Sequence, residues 1–373
     1  LAGVGATGAM SFLVLGFATG ITSGFSVVIA QRAGAEDREQ IRISVAACCW
    51  LCIAVTVVMT ILSVAGADFL LRIMNTPDDI FRYASGYIRI IFGGLGASIY
   101  YNMIAGILRA VGDSRTPLYF LIFSSVFNVV LDIAAVLVFH GGVEGASFAT
   151  VISQLISAFL CHWYAGRKYP GIWPEKRHWS ASLSQGWRHL RIGLPMALQF
   201  SVTAVGIMIL QAYLNGFGSV VIAGYTAAGK VENLVTQPFT TLAAAMEVYC
   251  GQNYGAGRPD RIRKGISSSL KMGGVAAAGM LVLNVVFGRQ MIQIFLESYD
   301  SAIVEYGYIY LVIIGAFSMV LCMLQIVRSS LQGMGEALVP MAGGVIELAA
   351  RWAGCICLLP FGYAGICFST PLA

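Results

Sequence analysis

The amino-acid sequence predicts an all-α protein that crosses a membrane many times, built from two parallel copies of one helical unit. An oily composition, charges bunched between long uncharged runs, and an internal repeat together point there. Of 373 residues, 58% are hydrophobic and 11% charged, where a soluble domain has about 25% charged. No Asp, Glu, Lys or Arg occurs in Leu1–Gln31, Ser44–Ala67, Ile90–Leu108, Gly145–Gly166, Ile192–Gly229, Met272–Gly288 or Tyr306–Val327. Pro117–Gly142, Val231–Gly251 and Ala337–Pro360 hold one or two charges each. A helix needs about 20 apolar residues to cross a bilayer, because unpaired backbone in hydrocarbon is costly. These segments predict ten spanning helices, with Ile192–Gly229 read as one span plus the loop into the next. A cleavable signal would be one short segment and does not account for them.

Cationic residues fix the orientation. Of 23 Lys and Arg, 17 fall in one set of connections and 4 in the other, and Lys230 and Arg351 lie within spans. Excess Lys and Arg mark the cytoplasmic side. The net charge of +5 therefore reflects topology and implies no nucleic-acid partner. The basic connection "GRKYPGIWPEKRHW" is expected to be cytoplasmic and to mark the midpoint of the fold.

The repeat appears when the chain is shifted by 221 residues. The first 42 residues then lie over Ile222–Arg263 with 13 identities and no gap, pairing "QRAGAEDREQIR" with "QNYGAGRPDRIR". "GYIRI" at Gly86 pairs with "GYIYL" at Gly307, and "LRAVGDSRTP" with "LQGMGEALVP" at an offset of 223. Equivalent loops fall on the same side of the membrane, so the copies run parallel, one of the architectures of transporters. Ile192–Leu214 finds no partner in the first half and Gly145–Gly166 none in the second. Each complete unit is therefore expected to hold six helices, ten of the twelve being present. The expected division is a first lobe over 1–170, a cytoplasmic linker over 171–190 and a second lobe over 191–373.

Asn128 and Asp132 are the candidate coupling residues. They stand four residues apart in "SVFNVVLDIAAVLVF", an otherwise apolar segment. Thr116 and Pro117 read as the cap and first turn of its helix. At 1.5 Å per residue Asn128 lies about 16 Å in and Asp132 about 22 Å, both at hydrocarbon depth. A charge there costs roughly 2.5–3.5 kcal/mol on insertion scales. An i, i+4 spacing turns the amide and the carboxylate toward one site. Two readings follow: a group that loads and unloads H+ or Na+, or a hydrogen bond to a neighbouring helix.

Other motifs carry less. The nine cysteines lie mostly within spans, and "CCWLC" reads as small apolar packing rather than metal or redox chemistry. The Gly-rich "QRAGAED" and "GQNYGAGRPD" lack the lysine and the strand context of a phosphate cradle, and read as helix ends. With no nucleotide site, nucleophile triad or metal quartet in the sequence, an ion gradient is expected to drive any transport. No enzyme, no cofactor and no ATP-binding subunit is expected.

At this point the chain resembles the multidrug and toxic compound extrusion (MATE) family. The resemblance is carried by "QRAGAEDREQIR", "GILRAVGDSRTP", "FNVVLD", "GVEGASFATVISQ", "GLPMALQ" and "GQNYGAGRPDRIRKG", in family order along the whole chain. It implies two six-helix lobes, of which this chain would hold helices two to eleven. It implies an antiporter in the plasma membrane of a bacterium, a monomer that exchanges inward Na+ or H+ for outgoing cationic organic compounds. It also implies a first-lobe cation site made of Asn128 and Asp132 on the fifth helix, Tyr87 on the fourth and Thr150 on the sixth.

Some relatives place a coupling carboxylate in the seventh or tenth helix. Here Ile192–Leu214 and Tyr306–Val327 hold none, which favours the first lobe. Second-lobe candidates are Glu232, which follows Lys230, and Glu347 with Arg351, an i, i+4 pair that can also simply hold helices together. The alternative function is a flippase for lipid-linked oligosaccharide or peptidoglycan precursors. Such proteins line their cavity with several cations, and only Lys230 and Arg351 lie within spans here. A membrane-embedded transferase would need paired acidic motifs, and the acidic pair after Pro77 has no second copy.

Overall fold

The computed structural model describes residues 7–74, 76, 78–296 and 300–373, the side chains of 78 and 79 excepted. The opening six residues of the repeat and the side chains of the acidic pair after Pro77 lie outside it. Among the described residues the regular structure is helical throughout. The chain forms two compact units, one of Leu1–Ser201 with Gly255–Gly257, the other of Val202–Tyr254 with Arg258–Ala373.

The first unit contains α1 (Gly8–Gly34), α2 (Arg38–Ile73), α3 (Asp78–Gly93), α4 (Leu95–Ala110), α5 (Arg115–Ile133), α6 (Gly142–Lys168), the short α7 (Lys176–Ser182) and the start of α8 (Gly186–Asn215). Turn chemistry separates them. After α1 the chain turns through Glu36 in the left-handed region, φ 57°, and Asp37 then caps α2 by accepting from the Gln40 amide at 3.0 Å. Between α4 and α5, Gly112 supplies φ 95°.

Small residues let the helices approach closely, as membrane bundles require. A Cβ on Gly24 would sit 2.4 Å from the Gly193 Cα, and one on Gly20 would sit 2.8 Å from the Ala197 Cα. The apolar centre of this unit is Phe25, Ile88, Phe92, Leu95, Ile104, Ile107 and Leu108, all without exposure. By contrast α5 turns Leu121, Val126, Val129, Val130 and Ile133 outward. That explains its oily sequence, since an outward face at bilayer depth meets acyl chains rather than water.

At the start of α5 the structure corrects the expected cap. The helix begins at Arg115, and the buried Asp113 accepts from the Thr116 amide at 3.0 Å and its hydroxyl at 2.8 Å. Lys168 and Tyr169, at the end of α6, donate to the same carboxylate at 2.9 Å each. Burial pushes the Asp113 carboxyl up, but these donors outweigh it and hold it well below the usual carboxylate range.

The second unit contains the rest of α8, then α9 (Ser219–Val235), α10 (Gln237–Gly255), α11 (Pro259–Gln293), α12 (Ser301–Gly333), α13 (Leu338–Leu358) and α14 (Gly362–Leu372). Phe239, Ile292, Leu311 and Ile326 are its fully buried centre. Repeat-equivalent turns keep their backbone shape: Gly257 has φ 65° where Glu36 has 57°, and Gly335 has φ 96° where Gly112 has 95°.

Two sequence expectations change. Eight runs among the described residues are long and apolar enough to cross a membrane, and a ninth forms if α3 and α4, bent by 41°, count as one. The expected tenth span, Val231–Gly251, falls across α9 and α10, helices of 17 and 19 residues that break at Thr236. Pro238 lacks the N–H that would continue the ladder there. The sixth helix of the first unit also has the beginning of a partner. Glycine-led α14, "GYAGICFST", stands where the first unit has α6 and "GVEGASFAT". A constant offset of 221 hides this match, because the register has drifted to 220.

Candidate functional site

Both predicted coupling residues lie on α5, and α6 and α3 supply their neighbours. Asn128 and Thr150 meet where α5 packs along α6, the Asn128 Nδ2 donating to the Thr150 Oγ1 at 3.5 Å. That distance is the outer limit of a hydrogen bond and leaves the amide weakly engaged. The Thr150 hydroxyl in turn donates to the Ala146 carbonyl at 3.0 Å, which fixes its rotamer. One turn on, Asp132 keeps one carboxylate oxygen, Oδ1, buried without a hydrogen-bond partner. Tyr87 stands on α3, which packs along α6. Of the four residues named from sequence, a hydrogen bond joins Asn128 to Thr150, while Asp132 and Tyr87 stand on α5 and α3, which both pack on α6.

Local backbone sharpens this corner. α5 does not run on as a regular helix past Asp132 but widens into a π-turn over Ala134–Val138. Such turns are uncommon and recur at functional sites. Nearby, the Glu144 carboxylate lies against Gly86, where a Cβ would be 2.6 Å from Oε1. Glu144 opens α6 beside the Tyr87 turn, and sequence reasoning missed it. Its signal was present, a carboxylate three residues into a glycine-led helix. Deeper along the same pair, Ser124 donates to the Ser153 carbonyl at 3.0 Å and Ser157 to the Phe120 carbonyl at 2.8 Å. These bonds clamp α5 to α6 and set the Asn128–Thr150 register.

The donor set is one carboxylate with amide, hydroxyl and phenol oxygens. Hard oxygen ligands suit an alkali cation or a proton, and a single carboxylate balances one unit of positive charge. Among the described residues no group of three His, Cys, Asp or Glu side chains is placed to hold a metal ion.

The second unit holds the other candidates in a separate polar cluster. Glu232 on α9 accepts from the Tyr310 hydroxyl of α12 at 2.7 Å, and the Tyr225 ring meets Tyr310 edge-on at 4.8 Å. Lys230 does not take part, its ammonium lying over the Phe295 ring at 5.7 Å. Glu347 on α13 accepts from Arg351 at 2.8 Å and from Arg328 of α12 at 3.0 Å. Arg351 is 7% exposed, and its Nη1 lies 3.3 Å from where a Gly206 Cβ would be. Arg351 occupies the repeat position of Asn128, so the two units put different chemistry at one equivalent place.

Described residues that form helices throughout, with eight or nine runs long and apolar enough to cross a membrane and two repeated units, have the architecture of a membrane transporter. The MatE family profile matches residues 1–134 and 195–355, and the chain belongs to that family of multidrug and toxic compound extrusion transporters. It is 27% identical over 349 residues to the probable multidrug resistance protein YoeA of Bacillus subtilis, covering 91% of this chain and 74% of that one. To the probable multidrug resistance protein NorM of Thermotoga maritima it is 27% identical over 367 residues, covering 94% and 75%. An outward-facing multidrug resistance MATE family transporter of the MOP superfamily shares its fold, with TM-score 0.93 at 22% identity, over 100% of this chain and 84% of that one.

Proposed function

We propose that the protein exports cationic organic compounds from a bacterial cell in exchange for inward Na+ or H+, with Asp132 as the coupling carboxylate. The observation that carries this reading is the Asp132 Oδ1 atom, buried without a hydrogen-bond partner, one helical turn from the Asn128 that meets Thr150. A carboxylate used only to join helices would have both oxygens engaged by a neighbouring donor, because an unmet buried acceptor costs about 1–3 kcal/mol or more. One left open is kept for something that comes and goes. When a cation or proton binds, the site becomes neutral. When it leaves, the charged carboxylate favours a conformation that restores contact with water or with a cationic substrate. Alternating access of the two units would turn that preference into antiport. The names of the YoeA and NorM relatives support a drug-like cargo. The protein would act as a monomer in the plasma membrane.

The test is efflux of a cationic dye from proteoliposomes under an imposed Na+ gradient and, separately, a pH gradient. The proposal expects wild type to respond to one of them and Asp132→Asn to neither. Equal efflux by the variant would reduce Asp132 to a helix contact and move coupling to Glu232 or Glu347. A precursor flippase would instead move a pyrophosphate-linked lipid in the same vesicles and leave the dye behind.

A further inference from the structure

The second unit carries a column of tyrosines that ends on a carboxylate. Its geometry starts from a glycine. A Cβ on Gly224 of α9 would sit 2.5 Å from the Ile303 carbonyl oxygen and 3.1 Å from the Tyr306 Cβ, so α9 and α12 run close together. That approach sets Tyr225 of α9 edge-on to Tyr310 of α12, with ring centroids 4.8 Å apart. One turn back on α12, Tyr306 meets Tyr363 of α14 edge-on at 5.2 Å, and the Tyr363 hydroxyl donates to the Tyr306 carbonyl at 3.0 Å. Tyr306 and Tyr310 share a face of α12 at i, i+4, and Tyr225 and Glu232 share a face of α9 at i, i+7.

Glu232 closes the column. The Tyr310 hydroxyl donates to its Oε2 at 2.7 Å. The cations that could balance its charge are engaged elsewhere. Lys230 lies over the Phe295 ring at 5.7 Å, and Arg351 donates to Glu347 at 2.8 Å. A half-buried carboxylate held by a phenol and by no cation is costly, and the rings beside it add no positive charge.

The repeat shows that the fold itself does not call for these residues. An offset of 221 sets Ser11 at the place of Glu232, Ser85 at Tyr306 and Arg89 at Tyr310, and an offset of 220 sets Val143 at Tyr363. In the first unit Ser85 and Arg89 both donate to Asp68 at 2.6 Å, a joint of different chemistry. The same helical unit is thus built without a tyrosine column and without its carboxylate.

We infer that Glu232, with the Tyr225 and Tyr310 rings, is the subsite that holds the positive nitrogen of the cargo. The inference rests on the cationic cargo proposed above and adds its contacts. Glu232 supplies the countercharge, and the negative faces of the tyrosine rings attract the cation as aromatic cages attract quaternary nitrogen. Tyr306 and Tyr363 extend the aromatic surface along a cargo that itself bears rings. The favoured class is a flat aromatic cation of permanent charge. A primary ammonium brings three donors to satisfy, and a fully substituted nitrogen brings none.

The experiment compares 10-methylacridinium, a permanent cation, with acridine, which is uncharged above neutral pH. Both are fluorescent, and each is titrated by polarisation against the whole protein in neutral nanodiscs, with empty nanodiscs as the blank. Glu232→Gln is expected to weaken 10-methylacridinium about tenfold or more, as for loss of a close charge partner, and to leave acridine nearly unchanged. Tyr225→Leu should weaken the cation about threefold or more, and Tyr225→Phe should keep its affinity, since the ring face and not the hydroxyl meets the charge. A purely structural role would weaken both dyes alike. Equal loss for both dyes, or 10-methylacridinium binding indifferent to Glu232→Gln, overturns the inference and leaves the cationic cargo standing. Absence of saturable 10-methylacridinium binding to wild type overturns both.

Discussion

Replacing Glu347 by alanine should destabilise the second unit strongly. The carboxylate accepts from Arg351 at 2.8 Å and Arg328 at 3.0 Å, joining α13 to α12. The three side chains are 19%, 9% and 17% exposed, so removal takes away the carboxylate that two poorly hydrated guanidiniums share. Breaking a fully buried pair costs about 3–5 kcal/mol, and the residual exposure here argues for the lower end, about 3 kcal/mol. In a domain of this size each kcal/mol moves the melting point by about 2–4 °C, so a fall of roughly 6–12 °C is expected. The assay is thermal unfolding of the purified protein followed by loss of the monodisperse chromatographic peak. A second substitution, Arg351→Leu, removes the guanidinium that has lost its i, i+4 carboxylate and should return part of the loss. A fall below about 2 °C, or a double variant as unstable as the sum of the single ones, would refute the triad as a structural joint.

Three further outcomes follow from geometry. Gly24→Val places a side chain where a Cβ alone already meets the Gly193 Cα at 2.4 Å, so α1 and α8 must separate. A loss of about 1–3 kcal/mol or more, read as a lower melting temperature, is expected for such overpacking. The Asp113 carboxyl is held below its ordinary range in the folded protein, so its contribution to stability is fully present above about pH 4, the unfolded aspartate value. It is lost as pH falls further, toward the lower folded value, and Asp113→Asn should flatten the melting curve of stability against pH in that acid range. Tyr310→Phe removes the 2.7 Å hydrogen bond to Glu232 at the cost of about 1.5–3 kcal/mol if Glu232 is charged. A melting point unchanged from wild type would mean that Glu232 is held by something else.

Much of the architecture was legible because bilayer depth leaves so few options. Uncharged runs had to be helices, and the repeat at 221 carried the two-unit organisation. Register drift was not legible. Between Gly142 and Gly362 the offset is 220, one less than over α1, so α14 escaped a comparison at fixed shift. Helix breaks also hid in composition: "NLVTQPFT" reads as apolar continuity, and only the missing N–H of Pro238 separates α9 from α10. In the candidate site, Asn128 and Asp132 announced themselves as polar residues in an oily helix. Thr150 and Tyr87 did not, since a hydroxyl that bonds its own helix and a tyrosine near a helix end look the same in sequence as in any structural role. Their placement depends on α5 and α6 packing in one register, set by Ser124 and Ser157 bonding across to the Ser153 and Phe120 carbonyls. Such contacts span 29 and 37 residues and leave no local signature.

The central claim is that Asp132 holds the coupling ion and releases it in favour of the cationic substrate. Equilibrium binding of tritiated tetraphenylphosphonium to the purified protein, titrated against Na+ at fixed pH and against pH without Na+, tests it most directly. The account predicts that one of the two ions displaces the substrate from wild type, and that Asp132→Asn abolishes that competition while the folded protein persists. Competition of undiminished strength in Asp132→Asn would contradict it.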